Sequence, residues 1–114
     1  MSAPVFEIPA STGRDLDISQ LLGQIERMTL LAVSGGRWIR SGTSSVRFHC
    51  GAGFEVVVTL EADDTYTVRR LFRRSGKAFL HGERTGVHCE QVSEAVYYAS
   101  CFRSYSADVW PHKV

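Results

Sequence analysis

The sequence predicts a single α+β domain, in which an antiparallel β-meander of about five or six strands carries a C-terminal helix on one face and follows an N-terminal helix. Three observations predict this class. The length, 114 residues, is that of one domain. Between residues 29 and 88, short apolar runs of period two alternate with glycine-containing turns, as in a meander. Residues 90–103 instead carry apolar side chains at helical spacing.

The N-terminal region divides into a tail and a helix. Residues 1–14 contain two prolines together with Ser, Thr and Gly, a composition that predicts a flexible tail before a single folded domain at 15–114. Residues 15–28, "DLDISQLLGQIERM", predict a helix because apolar side chains recur at spacings of three and four. Asp15 or Asp17 can cap its first turn.

The meander is predicted to begin directly after this helix. "TLLAVS", residues 29–34, is predicted to be a short apolar strand, and Gly35-Gly36 a hairpin turn, because glycine adopts positive φ without strain. Alternation of apolar and polar residues predicts the following strands, which are "RWIRSG", "SVRFHC", "FEVVVTLE", "TYTVRRLFRR" and "AFLHGERTGVH".

Residues 90–103 are predicted to form the C-terminal helix. Its apolar stripe consists of Val92, Ala95, Val96, Ala99 and Phe102. Glu90 and Glu94 lie toward its N-terminal end, where the helix macrodipole favours negative charge. Because the stripe covers one side only, this helix is expected to pack on one face of the sheet.

Composition excludes several classes of protein. Thirteen basic and twelve acidic residues nearly cancel, so no global field attracts nucleic acid or an anionic membrane. The longest apolar runs are far shorter than the ~20 residues that span a bilayer, and the N-terminus has no signal-peptide pattern. The odd count of three cysteines favours a reducing compartment, so a cytoplasmic protein without membrane contact is expected.

The segment "VHCEQVSEAVYYASCFRSY", residues 87–105, raises the question of metal or thiol chemistry. On a helix, Cys89 and Cys101 would lie roughly 18 Å apart, too far for a disulfide or a shared zinc ion. The dipeptides His49-Cys50 and His88-Cys89 leave a minor alternative of a metal or thiol site, although adjacent strand residues face opposite ways. Buried, unreactive cysteine is the favoured interpretation, and no cofactor is expected.

Catalytic motifs are not found in the sequence. It contains no Ser-His-Asp signature, phosphate-binding glycine loop or paired-carboxylate motif. We therefore expect a protein that is not an enzyme.

The one local excess of charge lies in "RRLFRRSGKAFLHGER", residues 69–84, which holds six basic residues and one acidic residue. Its candidate binding residues at the hairpin are Arg69, Arg70, Arg73, Arg74 and Lys77. An acidic protein surface is the favoured partner, and nucleic acid contacted by arginines and interleaved aromatic rings is the alternative. A solvated hairpin without a partner, protected from aggregation by its charges, is the third interpretation.

Tyrosines form a second stripe on the predicted C-terminal helix. Tyr98 and Tyr105 fall on one side together with Cys101. These rings are expected to pack the helix on the sheet, or, where exposed, to bind a protein partner or a second copy of the chain. The oligomeric state is left open by the sequence.

Three stretches resemble a group of small mycobacteriophage proteins: "MTLLAVSGG" at 28–36, "DDTYTVRRLFRRSGKAFLHGE" at 63–83, and "VHCEQVSEAVYYASCFRSY" at 87–105. The resemblance implies a phage accessory protein that acts in the bacterial cytoplasm by binding a host or phage factor. Members of that group often begin near the residue corresponding to Met28, so residues 1–27 would be an extension or reflect an upstream start assignment. No functional residues carry over.

Overall fold

Three helices and five strands make up the part of the chain that the computed structural model describes, residues 4–101. The helices are α1 (Ile18–Gln24), α2 (Arg27–Ser34) and α3 (Val92–Ser100). The strands are β1 (Ile39–Ser41), β2 (Ser45–Gly51), β3 (Phe54–Leu60), β4 (Tyr66–Arg74) and β5 (Lys77–Val87).

The five strands form one antiparallel sheet in the order β1-β2-β3-β4-β5, which confirms the predicted α+β meander. Its two ends are distinct. The turns at residues 51–53 and 75–76 lie together at one end, here named the hairpin end, and Arg73 N–H donates to the carbonyl oxygen of Gly53 across it. The β3–β4 turn lies at the opposite end, where β5 also leads into α3.

The main core lies between the sheet and the helices. Val46, Phe48, Val56, Val58 and Val68 are fully buried on this helix-covered face. Helix α3 covers them with four buried residues at helical spacing, Val92, Ala95, Val96 and Ala99. The predicted packing of the C-terminal helix on one face is thereby confirmed, although α3 begins at Val92 rather than at residue 90.

The predicted strand at residues 29–34 is wrong, because this segment belongs to α2. The predicted helix at 15–28 is likewise shorter: α1 starts after Asp17, which accepts from the Gln20 N–H, and ends at Gln24. Gly35 ends α2 with φ 67°, and its N–H donates to the carbonyl of Leu31. The two glycines therefore terminate a helix instead of turning a hairpin.

Residues 4–14, here named the N-terminal strap, cross the other face of the sheet. Phe6 N–H donates to the Ala78 carbonyl at 2.8 Å, and Leu80 N–H donates to the Pro4 carbonyl at 2.8 Å. The strap thus pairs with the outer edge of β5. Composition predicts that residues 1–14 are flexible; the described residues 4–14 lie along the sheet, and their flexibility stays a prediction.

A second apolar cluster lies beneath this strap. Val57, Leu71 and Ala78 are buried there, and Phe6 and Ile8 of the strap pack against them. Both faces of the sheet therefore depend on residues that precede α2. Within residues 4–101, no helix is long and apolar enough to cross a membrane.

Candidate binding surface at the hairpin end

The tip of the β4–β5 hairpin carries two facing cations. Ser75 and Gly76 both have positive φ, 54° and 77°, as a tight two-residue hairpin turn requires. This turn places Arg74 directly opposite Lys77 in the strand register. Both side chains are exposed, and neither forms an ion pair with any described residue. Like charges directly opposite one another destabilise a strand pair, so the fold gains nothing from this arrangement.

Glu55 lies beside the tip, buried on the strap-covered face with 1% of its surface exposed. Its Oε1 accepts from Arg73 Nε at 2.9 Å, and its Oε2 accepts from Arg47 Nη2 at 3.2 Å. His49 Nδ1 lies 3.7 Å from the same Oε2. One carboxylate therefore faces two guanidinium groups, which leaves a net positive charge at the hairpin end.

Arg69 and Arg70 are placed differently from the tip residues. Arg69 Nε donates to Glu83 Oε1 at 2.7 Å, and its guanidinium lies 4.5 Å from the centre of the Phe6 ring. Arg70 is buried on the helix-covered face, with its guanidinium 4.2 Å from the centre of the Phe54 ring. Both side chains make contacts within the fold, so the structure brings together only part of the predicted basic set at the tip.

Aromatic rings cluster on the helix-covered face at the hairpin end. The ring centres of Phe54 and Phe72 are 4.9 Å apart, and His81 lies 5.9 Å from each. A register shift between Arg70 and Leu71 turns His81 toward these rings, which sequence alternation alone does not predict. Burial, and then the charge of Arg70, lower the pKa of His81, so its ring is neutral at pH 7.

The predicted tyrosine stripe is described only in part. Tyr98 is exposed on α3, and its ring centre lies 6.2 Å from that of Tyr97, which is also exposed. Tyr105 lies outside the described residues. Tyr98 lies on the outer side of α3, and its ring contact is with Tyr97 rather than with the basic tip, so these predicted sites do not form one surface within residues 4–101.

The two His-Cys dipeptides lie at opposite ends of the sheet. His49 is in register, through Glu55 and Leu71, with Leu80 of β5. His88 follows the end of β5, about 26 Å further along at roughly 3.3 Å per residue. No single metal ion can therefore bind to both dipeptides.

The thiols also differ in their surroundings. Burial raises the pKa of Cys50 to about 11, so this thiol stays protonated at neutral pH. Cys89 is exposed. Among residues 4–101, no group of three or more His, Cys, Asp or Glu side chains lies close enough to hold a metal ion.

Comparisons of the chain with protein-family models, with curated proteins and with solved structures find no match in any of the three. The hairpin end must therefore be interpreted from its own chemistry.

Proposed function

We propose that this protein is a non-enzymatic binding module that uses the basic hairpin end to bind an acidic surface of a host or phage protein. The setting follows the resemblance to mycobacteriophage proteins: a phage accessory protein in the bacterial cytoplasm. The observation that carries the proposal is the facing pair Arg74 and Lys77. This pair opposes folding and has no carboxylate partner among the described residues. Such an unfavourable arrangement is typical of a functional site, where a bound ligand supplies the countercharge.

Neighbouring residues support an anionic partner. Arg73 is half-exposed while bound to Glu55, and Arg47 shares the same carboxylate. Any carboxylate that approaches the tip therefore meets an excess of cations. Arginine suits such a surface because its planar donors match carboxylate geometry.

The proposal predicts opposite effects of Arg74→Glu on binding and on folding. A glutamate there faces Lys77 and forms a cross-strand ion pair, so the free energy of unfolding rises by about 0.2–1 kcal/mol. Recovery of partners from a mycobacterial host lysate, measured by quantitative mass spectrometry, is expected to fall at least tenfold. Urea denaturation provides the stability measurement.

Arg27→Glu is the matched control, since it makes the same charge change at an exposed position on α2. It is expected to leave partner recovery within a factor of two. Equal recovery of the same proteins by wild type and Arg74→Glu would overturn the proposal. Variants of Arg69, Arg70 or Arg73 are unsuitable for this test, because their side chains make contacts within the fold that the substitution would also remove.

A second candidate function, binding of single-stranded nucleic acid, is favoured by the ring cluster. Half-exposed Phe72 and exposed His81 adjoin the basic tip, and stacked bases on aromatic rings beside arginine are a common mode of binding. This candidate predicts that affinity for a fluorescent oligo-dT falls steeply with salt and falls further in Phe72→Ala. Tyr97→Ala, which removes an exposed ring on α3, is the control. A flat salt response excludes this candidate.

A further inference from the structure

Strand β1 and the residue before it present exposed apolar side chains at the open edge of the sheet. Trp38 is 41% exposed and Ile39 is 45% exposed. Within the described residues, the backbone of β1 pairs only with β2, through Ile39–Arg47, Arg40–Val46 and Ser41–Ser45. Its outer side therefore offers backbone donors and acceptors that can pair with another strand.

A cavity of about 600 Å³ adjoins this edge. The described residues that line it are Ser34, Gly36, Arg37, Trp38, Ile39 and His49. Apolar surface continues from the cavity onto α2. A methyl group built on Gly36 would lie 3.6 Å from Leu31 Cδ2, so the Leu31 side chain reaches this wall. Met28, one helical turn earlier, is 73% exposed.

The one charged side chain among the described residues that line the cavity, Arg37, is positive. Arg37 is exposed and His49 is about half exposed, whereas no carboxylate belongs to the lining. Arg40 does not add to this charge at the cavity, because its guanidinium donates to the carbonyls of Leu16 and Thr43. The complementary ligand therefore carries both apolar side chains and carboxylates.

The opposite edge of the same sheet shows how it accepts an extended segment. Val5 pairs with Phe79 of β5, with Phe6 and Ile8 of the strap packed on the adjacent face. Strand addition combines backbone hydrogen bonds for affinity with alternate side chains for specificity.

We infer that the β1 edge binds an extended acidic segment of another protein, in which glutamate or aspartate alternates with apolar residues. The segment pairs with the backbone of residues 39–41, inserts an apolar side chain beside Trp38, and places a carboxylate on Arg37. This surface is separate from Arg74 and Lys77, so either proposal can fail without the other.

A second copy of the chain fits this edge less well. Symmetric antiparallel pairing about Ile39 would place Arg37 opposite Ser41 and Arg40 opposite Trp38 of the other copy, so Arg37 would meet no carboxylate. A three-residue strand would also bury far less than the ~800 Å² per partner of a standard interface.

The test uses the full chain and a defined probe. The probe is a pool of blocked decapeptides in which glutamate alternates with valine, leucine or phenylalanine, and the control pool has lysine in place of glutamate. Amide chemical shifts are measured during titration, together with the indole N–H of Trp38. The acidic pool is expected to shift residues 36–41 and to bind at least tenfold more tightly than the lysine pool.

Two single charge reversals separate this inference from the proposed function. Arg37→Glu is expected to weaken binding of the acidic pool at least tenfold, while Arg74→Glu leaves it within a factor of two. Equal binding of both pools, or shifts confined to the hairpin end, would overturn the inference. Shifts at residues 38–41 that depend on protein concentration without peptide, with a dimer in sedimentation, would assign the edge to a second copy instead.

Discussion

At the scale of single residues, Glu55 is the group on which the hairpin end most depends. Its buried carboxylate holds Arg47 and Arg73 together, and its removal leaves two guanidinium groups facing each other without a countercharge. We expect Glu55→Gln, which keeps the side-chain shape, to lower the free energy of unfolding by about 2–3 kcal/mol, somewhat below the cost of breaking a fully buried pair because both arginines are partly exposed. Urea denaturation measures this loss.

Asp64→Asn is the control for this substitution, since it breaks the exposed pair between Asp64 and Arg14. Exposed ion pairs contribute little, so a change below about 1 kcal/mol is expected. If Glu55→Gln costs no more than Asp64→Asn, the buried carboxylate does not organise the hairpin end.

Arg84 presents the reverse case, a buried cation without a described partner. It is 6% exposed, and its Nη1 has no hydrogen bond. Replacing such a group by an apolar side chain of similar size removes the cost of its desolvation. We expect Arg84→Met to raise the free energy of unfolding by about 1–3 kcal/mol, whereas the exposed substitution Arg27→Met changes it by less than about 0.5 kcal/mol. A loss of stability in Arg84→Met would contradict this account.

The thiol of Cys50 gives a prediction for pH dependence. Its pKa is about 11 in the folded chain against an ordinary value of 9.0, because burial disfavours the thiolate. The contribution of Cys50 to the free energy of unfolding is therefore fully present below pH 9. It is lost as the pH rises toward 11, because the thiol ionises at a lower pH in the unfolded chain than in the folded one. The difference in unfolding free energy between wild type and Cys50→Ala should shrink over that interval, as followed by urea denaturation at each pH.

Alkylation checks the same property directly. With iodoacetamide at pH 8, Cys50 should react far more slowly than exposed Cys89 in the folded chain, and both should react at similar rates in concentrated urea. Peptide mass mapping separates the two sites. Equal native rates would show that Cys50 is not protected.

At the scale of elements, the sequence is most informative where side-chain period and turn chemistry agree. The strands β2 to β5 follow from alternation between glycine turns, and α3 follows from its apolar stripe. The structure of segment 29–34 cannot be predicted in this way, because a six-residue apolar run fits a buried strand and a helix equally well. A helix forms there because Val33 is buried in the main core and Gly35 ends the helix in a left-handed conformation.

The same limit applies to the candidate site. The facing pair Arg74 and Lys77 follows from the sequence once Ser75-Gly76 is recognised as a two-residue turn. The Glu55 cluster requires the register of three strands, which no local pattern fixes. The strap is an intermediate case. Alternation at Phe6 and Ile8 indicates a short extended segment, but its two prolines give it the composition of a flexible tail.

At the scale of the whole molecule, the residues before Met28 complete both sides of the sheet. Leu16, Leu21 and Ile25 are buried in the main core, and the strap covers the second cluster. Full burial of each such side chain is worth about 1.5–3 kcal/mol, so these three alone approach the ~5–15 kcal/mol of stability typical of a domain. A chain that begins at Met28 is therefore expected not to fold.

Circular dichroism and two-dimensional NMR of the chain from Met28 test this expectation: dispersed amide signals should be lost and a hydrophobic dye should bind. A chain that begins at residue 15 separates the contribution of α1 to stability from that of the strap, because it keeps α1 but loses the strap. We expect it to retain the main core with lower stability, since Val57 and Leu71 become exposed on the second face. If the chain from Met28 instead unfolds cooperatively at nearly the wild-type temperature, residues 4–27 are an accessory layer on a domain that the sheet, α2 and α3 already complete.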